Sequence, residues 1–215
     1  MQPPKVLCVF GPPCAGKSTF IWSLAANLDF RPLSVGEELR KLAKSDDPHA
    51  AVAAQLLAAG SSMPPWLSTH VLPKAIRRFF PSSLALDNFP RTADQLLQLP
   101  DILNACDYDD ADVRGVIIEL DEDMALSRLA TRGGCNICGF IGDMSAVFCP
   151  RCGSLLEVRS DDLNAAAVRR RFETFRNLTM PVIAEFGTRH LLLRVPGNSS
   201  AAEQVKFIRR WWFGE

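Results

Sequence analysis

Residues 11–18 read GPPCAGKS, and this stretch decides the fold of the 215-residue chain. It fits the G-x-x-x-x-G-K-[ST] pattern of a phosphate-binding loop, or P-loop. The apolar run 6–10 before it predicts a buried strand, and residues 17–28 after it predict a helix. In this arrangement backbone N–H groups and the helix N-terminus bind phosphate oxygens, Lys17 reaches the β- and γ-phosphates, and the Ser18 hydroxyl can bind Mg²⁺. The loop therefore predicts nucleoside triphosphate binding.

Strands and helices alternate along the rest of the chain. Short apolar runs predict further strands at 31–33, 83–86, 115–120 and 191–195. Helical patterns occupy 37–44, 50–59, 67–80, 94–104, 122–131, 163–186 and 201–212. This alternation is typical of an α/β protein with a parallel sheet and helices on both faces. Ligands of such sheets lie beyond the carboxyl ends of the strands.

The charge and cysteine content limit the possible partners and the compartment. Lysine plus arginine (24) equals aspartate plus glutamate (24), so no net charge attracts the chain to nucleic acid or to a membrane surface. No apolar run approaches the roughly 18 residues that a membrane-spanning helix needs. Four of the seven cysteines form two Cys-x-x-Cys pairs, which favours metal binding in a reducing compartment over disulfides. We therefore expect a cytoplasmic protein.

The two cysteine pairs predict a metal site. Each pair belongs to a Cys-x-x-Cys-Gly knuckle, with ten residues between the pairs, and the four thiols are those of Cys135, Cys138, Cys149 and Cys152. Four thiolates at this spacing are typical of tetrahedral, structural Zn²⁺. An iron–sulfur cluster uses the same ligands and stays open as an alternative. So small a ribbon cannot bury enough core alone, so metal binding would supply its folding energy.

Residues 87–92 read DNFPRT and closely resemble the D-G-F-P-R-T signature of adenylate kinases. Other segments resemble motifs of that family in the same order: 34–40 (SVGEELR), 128–132 (RLATR), 159–162 (RSDD) followed by Arg171, 179–181 (TMP) and 195–197 (VPG). The resemblance implies a P-loop three-layer sandwich with a five-stranded parallel sheet, a small helical monophosphate-binding insert and a zinc-ribbon lid insert. The implied bounds are 1–33, 67–130 and 163–215 for the core, 34–66 for the insert and 131–162 for the lid.

The resemblance also implies an activity and its residues. The protein would be a monomeric nucleoside monophosphate kinase that reversibly transfers a phosphoryl group from ATP, most favourably to AMP. ATP would contact Gly11, Pro12, Pro13, Cys14, Ala15, Gly16, Lys17, Ser18, Thr19, Arg128, Arg132 and Gly197. AMP would contact Val35, Arg40, Met63, Asn88, Arg91, Gln95, Arg159 and Arg171. The catalytic residues would be Lys17, Arg91, Arg132, Arg159 and Arg171. Mg²⁺ would lie near Ser18 and Asp87, and Zn²⁺ would bind the four cysteines.

The residue types agree with this chemistry independently of the resemblance. Phosphoryl transfer depends on positioning and charge stabilisation more than on covalent catalysis. A guanidinium is always charged and can donate to two oxygens at once, which suits it to this task. No Ser-His-Asp or Cys-His set is evident in the sequence. The histidines His49, His70 and His190 are isolated in sequence, and we interpret them as surface or packing residues.

Four residues depart from the family pattern at informative positions. Cys14 replaces a P-loop glycine, and it is either an oxidation-sensitive thiol or a small filler residue. Asn88 replaces the glycine of the D-G-F-P-R-T signature, and asparagine tolerates unusual backbone angles. Val35 replaces a threonine next to the acceptor base. Ser18 stands where the family has glycine and restores the general P-loop magnesium ligand. The identity of the acceptor base therefore remains undetermined by the sequence, although Gln95 favours AMP.

Other functions remain as alternatives. The acceptor could be CMP, UMP, GMP or a deoxynucleotide. The departures from the family pattern could also indicate a nucleotide-binding regulator without turnover, although the presence of Lys17 and the arginines favours catalysis. Zinc ribbons often bind nucleic acid, but the chain has no net charge and Arg151 is the only cation from Cys135 to Cys152. We therefore expect ATP and a nucleoside monophosphate as partners, and neither nucleic acid nor a membrane.

Overall fold

A five-stranded parallel sheet forms the centre of the molecule. The computed structural model describes residues 3–158, 162 and 165–215. Its strands are β1 (Lys5–Phe10), β2 (Phe30–Ser34), β3 (Ser83–Asp87), β4 (Asp112–Glu119), β5 (Arg132–Gly134), β6 (Ile141–Asp143), β7 (Glu157–Val158) and β8 (Leu192–Pro196). The central sheet has the order β2-β3-β1-β4-β8, and all of its strand pairs are parallel. The predicted α/β P-loop fold with five parallel strands is confirmed.

Nine α-helices in the described residues connect and flank these strands. They are α1 (Lys17–Leu28), α2 (Val35–Ala43), α3 (Ala50–Ala59), α4 (Pro65–Arg77), α5 (Ala93–Asn104), α6 (Glu122–Ala130), α7 (Ala165–Thr174), α8 (Met180–Thr188) and α9 (Ala201–Ile208). Polar residues begin several of them: Ser200 and Glu203 form a reciprocal capping box at α9, for example. Across the described part of the chain, no helix combines the length and apolar character that would let it cross a membrane.

Strand β1 explains why the core has two sides. Its residues Val6 to Phe10 are all fully buried, although alternate side chains of a strand point to opposite faces. On one face Val6, Cys8 and Phe10 pack in a cluster with residues of α2, α4, α5 and α8. On the other face Leu7 and Val9 pack with residues of α1 and α9. A strand covered on both faces must be apolar throughout, which is the pattern seen at 6–10.

Three helix predictions needed correction. The helix predicted at 201–212 is α-helical over Ala201–Ile208 and continues as a π-helical segment, Arg209–Phe213. The helix predicted at 163–186 is interrupted by a π-helical segment, Phe175–Thr179, which separates α7 from α8; residues 163 and 164 lie outside the described part of the chain. Pro181 lacks a backbone N–H and lies in the first turn of α8, where that loss is tolerated. The helix predicted at 67–80 spans Pro65–Arg77 instead. Pro65 begins it because proline suits the first helical position.

A second, smaller sheet is formed by residues that follow α6. Strands β5, β6 and β7 are antiparallel in the order β6-β5-β7. They are only two or three residues long, and sequence periodicity did not predict them. Their apolar cluster is small and includes the buried Cys135, Cys149 and Leu156. This ribbon therefore lacks the large core that stabilises the central sheet.

Candidate functional site

A pocket of about 400 Å³ opens at the carboxyl ends of β1, β2 and β3. Among the residues predicted to bind ATP, those that line it are Gly11, Pro13, Cys14, Gly16, Lys17, Ser18, Thr19, Arg128 and Arg132. Among those predicted to bind AMP, those that line it are Val35, Arg40, Met63, Asn88, Arg91, Gln95 and Arg171. Pro12, Ala15 and Gly197 do not line it, and Arg159 lies outside the described residues. The pocket thus combines both predicted sets.

The P-loop connects β1 to α1 and offers its backbone amides to the pocket. Pro12 and Pro13 have no N–H, so after Gly11 the next backbone donor of the loop is Cys14. Cys14 has a φ of 61° and Gly16 a φ of 92°, both in the left-handed region. This conformation favours glycine at both positions, and Cys14 adopts it despite its Cβ. The loop therefore tolerates the replacement of a family glycine by Cys14.

Lys17 is the first residue of α1, and its ammonium lies against the loop. Its Nζ donates to the carbonyl oxygens of Gly11 at 2.9 Å and Pro12 at 2.8 Å. Burial lowers the pKa of Lys17 to about 8; Asp87 opposes this effect, whereas the nearby guanidiniums of Arg91 and Arg132 add to it. A desolvated cation surrounded by further cations is stabilised strongly by an anion.

Ser18 and Asp87 lie side by side at the floor of the pocket. The Ser18 hydroxyl donates to Asp87 Oδ2 at 3.0 Å. The parallel pairing of β1 with β3 aligns Val9 with Asp87, which brings the end of β3 beside the P-loop. Hydroxyl and carboxylate oxygens are hard ligands of the kind that Mg²⁺ prefers. The two residues predicted to lie near magnesium therefore fit that ion.

Several guanidiniums converge on the pocket from different elements. Burial lowers the pKa of Arg91, and the charges of Arg171 and Arg40 contribute to this effect while Asp87 opposes it. Arg132 Nε donates to Asp162 Oδ2 at 2.7 Å, and Arg171 donates to Asp162 Oδ1 at 2.7 Å. The Asp162 side chain is only 3% exposed.

Asp162 therefore holds two of the predicted catalytic arginines in place. It was absent from the predicted site residues, although it ends the quoted RSDD motif. That motif was the available signal, because an aspartate close to functional arginines in a family pattern suggests a partner for them. A buried carboxylate between two guanidiniums reduces their repulsion and restricts their side-chain rotamers.

Arg91 is fixed by its neighbours. Its Nε donates to the backbone oxygen of Asn88 at 3.1 Å. When the Asn88 carboxamide presents its oxygen to Arg91, this oxygen accepts from Nε at 2.9 Å. The hydroxyl of Thr179 donates to the Arg91 carbonyl at 3.2 Å. Asn88 has a φ of 61°, which explains why asparagine can replace the glycine of the family signature. Thr179 lines the pocket and was also not predicted as a site residue.

Gln95 is a buried polar residue of α5 that lines the pocket. It is 1% exposed, and its carboxamide is bonded at both ends. Its Nε2 donates to the Met63 carbonyl at 2.6 Å, and its Oε1 accepts from the Arg91 N–H at 2.8 Å. The side chain is thereby held in one orientation. A carboxamide oxygen has two lone pairs, so Oε1 can accept one more hydrogen bond.

Arg128 and Gly197 lie together although they are 69 residues apart in the chain. Arg128 donates to the Gly197 carbonyl at 3.0 Å, and the Gly197 N–H donates to the Glu119 carbonyl at 2.7 Å. A Cβ on Gly197 would lie 2.6 Å from the Glu119 carbonyl oxygen. Glycine is therefore required here because β4 approaches this turn closely.

The four cysteines of the ribbon come together as a candidate metal centre. The Sγ atoms of Cys135 and Cys152 are 3.4 Å apart, those of Cys138 and Cys149 are 3.6 Å apart, and all four lie within 4.8 Å of one another. Zn–S bonds of about 2.3 Å in a tetrahedron place sulfur atoms about 3.8 Å apart. The donor set therefore fits Zn²⁺, although thiolates also suit an iron–sulfur cluster.

The two knuckles share one backbone geometry. The Gly139 N–H donates to the Cys135 carbonyl at 3.0 Å, and the Gly153 N–H donates to the Cys149 carbonyl at 2.9 Å. Both glycines have a positive φ, 71° and 75°, which lets each turn close after its second cysteine. The repeated Cys-x-x-Cys-Gly sequence thus gives two matching turns that face each other.

A P-loop that shares one pocket with a cluster of arginines defines a nucleotide-dependent phosphotransferase. The adenylate kinase family model matches residues 9–191. An adenylate kinase of Chlamydia caviae is 30% identical over 206 residues, covering 93% of this chain and 94% of the relative. Adenylate kinases of Acidothermus cellulolyticus (30% over 219 residues, 95% and 98% covered) and Thermosipho africanus (28% over 211 residues, 93% and 97% covered) are also similar. The chain belongs to the adenylate kinase family and is a nucleoside monophosphate kinase, which confirms the resemblance and the enzyme class predicted from its motifs.

Proposed function

We propose that this enzyme catalyses the reversible transfer of the γ-phosphoryl group of Mg²⁺-bound ATP to AMP, which yields two molecules of ADP. The observation that carries this proposal is the single pocket that connects the P-loop to Gln95. Lys17 would lie on the donor side, and Val35 and Met63 would lie on the acceptor side. All three line the same pocket as Arg91, Arg132 and Arg171. Such a pocket allows a donor phosphate and an acceptor phosphate to meet without a covalent enzyme intermediate.

On the donor side, we propose that the loop amides and Lys17 bind the phosphates of ATP. The depressed pKa of Lys17 supports this role, because a desolvated ammonium gains most from an adjacent anion. Ser18 and Asp87 would hold Mg²⁺, directly or through water. When bound, the ion neutralises charge on the β- and γ-phosphate oxygens. Arg128 would flank the adenine of ATP, held in place by its bond to Gly197.

At the reacting centre, we propose that Arg91, Arg132 and Arg171 stabilise the charge of the transferring group. Planar guanidiniums can donate to two phosphate oxygens at once, and in a site shielded from water these bonds are strong. Asp162 would preorganise Arg132 and Arg171 before substrates bind. Arg159 is proposed for the same cluster on the family motif alone. Arg40 would complete the binding of the acceptor phosphate.

The choice of AMP rests on Gln95. Its Oε1 already accepts one hydrogen bond from the Arg91 backbone N–H. Its second lone pair can accept another hydrogen bond, so the acceptor base must offer a donor there. The exocyclic amino group of adenine is such a donor, whereas GMP and UMP present a carbonyl at the equivalent edge. A carbonyl facing Oε1 would leave a buried acceptor unpaired, which costs about 1–3 kcal/mol. CMP also has an exocyclic amino group and is the second candidate acceptor.

The ribbon would act as a lid over the donor site. We propose that 131–162 is this lid, that 34–66 is the monophosphate-binding insert, and that 1–33, 67–130 and 163–215 form the core. Zn²⁺ on the four cysteines would stabilise the lid, which would exclude water from the reaction. The Arg151 guanidinium lies 3.8 Å from the Trp22 ring centroid of α1, and this contact supports a lid docked on the core.

We further propose a cytoplasmic monomer that uses no nucleic acid. The two Cys-x-x-Cys pairs favour a reducing compartment, and one chain supplies both the P-loop and the arginines that line the pocket. Size-exclusion chromatography with light scattering tests the monomer, and a DNA or RNA titration at two salt concentrations tests the expected lack of nucleic-acid binding.

The deciding experiment is steady-state ADP formation from Mg²⁺-bound ATP with each of AMP, CMP, UMP, GMP and their deoxy forms. We expect the highest kcat/KM with AMP. The variant Gln95→Leu should reduce the preference for AMP over UMP, because the discriminating acceptor is removed. A higher kcat/KM with another acceptor would transfer the proposal to that substrate. If folded, metal-loaded protein forms no ADP with any of these acceptors, the proposed turnover is contradicted and the nucleotide-binding regulator is favoured.

A further inference from the structure

A second group of metal-type ligands lies outside the central pocket. It consists of Asp47, His49 and His70, and none of these residues lines the pocket. The histidines are isolated in sequence, but the structure brings His49 and His70 together. One ligand atom from each of the three residues lies within 4.8 Å of the other two. All three side chains are half-buried, so the cluster is accessible to an ion from solvent.

The backbone fixes the position of Asp47 and His49 in the connection between α2 and α3. The Asp47 carbonyl accepts from the Ala50 N–H at 2.9 Å, and Asp47 Oδ1 accepts from the His49 N–H at 2.9 Å. The turn thus uses one carboxylate oxygen and leaves the other, Oδ2, directed at α4. There Oδ2 lies 3.1 Å from His70 Nε2.

The two imidazoles approach each other edge-on. Their ring centroids are 4.9 Å apart at an interplanar angle of 85°. The His49 ring also contacts Trp66, with centroids 5.1 Å apart. An indole next to one imidazole restricts the rotamers of that side chain and covers one side of the cluster. The three ligands are therefore held by packing as well as by hydrogen bonds.

The charge of Asp47 has little other compensation. Within the described ranges, His70 is the only side chain that lies within ion-pair distance of its carboxylate. A carboxylate with two imidazoles is a set that binds Zn²⁺ and other divalent transition metals.

The distance between the ligand atoms of Asp47 and His70 agrees with tetrahedral metal coordination. Ligand bonds of about 2.0–2.1 Å in a tetrahedron place donor atoms about 3.3 Å apart. The observed separation of Asp47 Oδ2 from His70 Nε2 is 3.1 Å. The His49 ring can bring a nitrogen to the same point, since its nearest ligand atom lies within 4.8 Å of both partners.

We propose that Asp47, His49 and His70 bind a divalent transition metal ion, Zn²⁺ foremost, with solvent completing the coordination. The ion would replace the hydrogen bond between His70 and Asp47. It would connect the segment between α2 and α3 to α4 and would fix their relative position. This site is weaker than the four-cysteine centre, because it offers three ligands rather than four thiolates and is open to solvent.

The test is a count of bound Zn²⁺ and a calorimetric titration with Zn²⁺ on the full-length protein. With the four-cysteine centre already loaded with Zn²⁺, the wild type should bind one ion more than His70→Ala, and further Zn²⁺ should raise the Tm of the wild type but not that of the variant. Asp47→Asn keeps the size of the side chain and should lower the affinity of this site at least about tenfold, the least that loss of even an outer partner costs. Circular dichroism confirms that each variant is folded.

Two controls separate this site from others. His190→Asn removes the remaining histidine at a φ of 57°, which asparagine tolerates, and should leave the metal count unchanged. Co²⁺ distinguishes the centres by spectrum, because only the four-cysteine centre gives thiolate charge-transfer absorption. Equal metal counts in the wild type, His70→Ala and Asp47→Asn would overturn the proposal. An equal loss of metal in His190→Asn would overturn it as well.

Discussion

Replacing Lys17 with methionine should separate its catalytic role from its effect on stability. Methionine preserves most of the side-chain length and removes the charge. Loss of a single preorganised donor to a developing anion typically costs about a hundredfold or more in rate. We therefore expect Lys17→Met to lower kcat/KM for Mg²⁺-bound ATP at least about a hundredfold.

The same variant should be more stable than the wild type at pH 7. Burial lowers the pKa of Lys17 from 10.5 to about 8, and at 1.36 kcal/mol per pKa unit this corresponds to about 3 kcal/mol. Methionine also loses the hydrogen bonds to the carbonyls of Gly11 and Pro12, at about 1 kcal/mol each. The expected net gain in the free energy of unfolding, measured by urea titration, is about 1 kcal/mol.

The pH dependence of both properties follows from the direction of the pKa change. Between pH 8 and 10.5 the unfolded state binds more protons than the folded state, so wild-type stability rises with pH and the advantage of Lys17→Met disappears. The kcat/KM for ATP, which reports the free enzyme, should fall above about pH 8 as Lys17 loses its proton.

The thiol of Cys14 also titrates in the loop, and burial raises its pKa. Cys14→Gly removes this thiol at a φ that glycine favours, and the alkaline fall in kcat/KM should persist in it. Near-normal turnover in Lys17→Met would refute the P-loop assignment. If kcat/KM for ATP of the wild type does not change up to pH 10.5, burial does not lower the pKa of Lys17 as inferred.

Four further predictions concern the arginine partner, the turn near Arg128, the metal centre and the lid contact. Asp162→Asn should lower the free energy of unfolding by about 3 kcal/mol, because two guanidiniums lose a buried carboxylate, and saturating Mg²⁺-bound ADP should reduce this difference in a urea titration. Gly197→Ala should lower the Tm and raise the KM for ATP, with a cost of about 1–3 kcal/mol, since its Cβ would lie 2.6 Å from a carbonyl oxygen; Gly187→Ala, whose Cβ makes ordinary contact at 3.8 Å, should be tolerated. Removal of metal by a chelator should unfold the ribbon and impair turnover while circular dichroism shows a folded core, and metal analysis that finds neither zinc nor iron beforehand would refute the centre. Trp22→Leu should raise the KM for ATP about twofold to fivefold, the value of one exposed cation–π contact, and an unchanged KM would show that the lid does not depend on Arg151.

The sequence predicted the strands of the central sheet more reliably than the helices around it. Runs such as 6–10 are buried on both faces of the sheet, so every residue must be apolar and the pattern is unambiguous. The helix predicted at 163–186 was wrong in one respect, because a π-helical segment interrupts it before Pro181. The short strands of the ribbon flank the knuckle turns and pair over two or three residues, which is too short for a hydrophobic period to be recognised.

The sequence by itself determined the P-loop fold, the enzyme family and the two cysteine knuckles, because each depends on residue types at fixed local spacing. Only the tertiary structure decided which distant groups meet. Asp162 acquires its partners Arg132 and Arg171 through folding, and Gln95 acquires its orientation from Met63 and the Arg91 backbone. The contact between His49 and His70 likewise could not be predicted from the sequence. Such contacts depend on how helices pack across the sheet, and the free energy of that packing is distributed over the whole core rather than encoded in a local pattern.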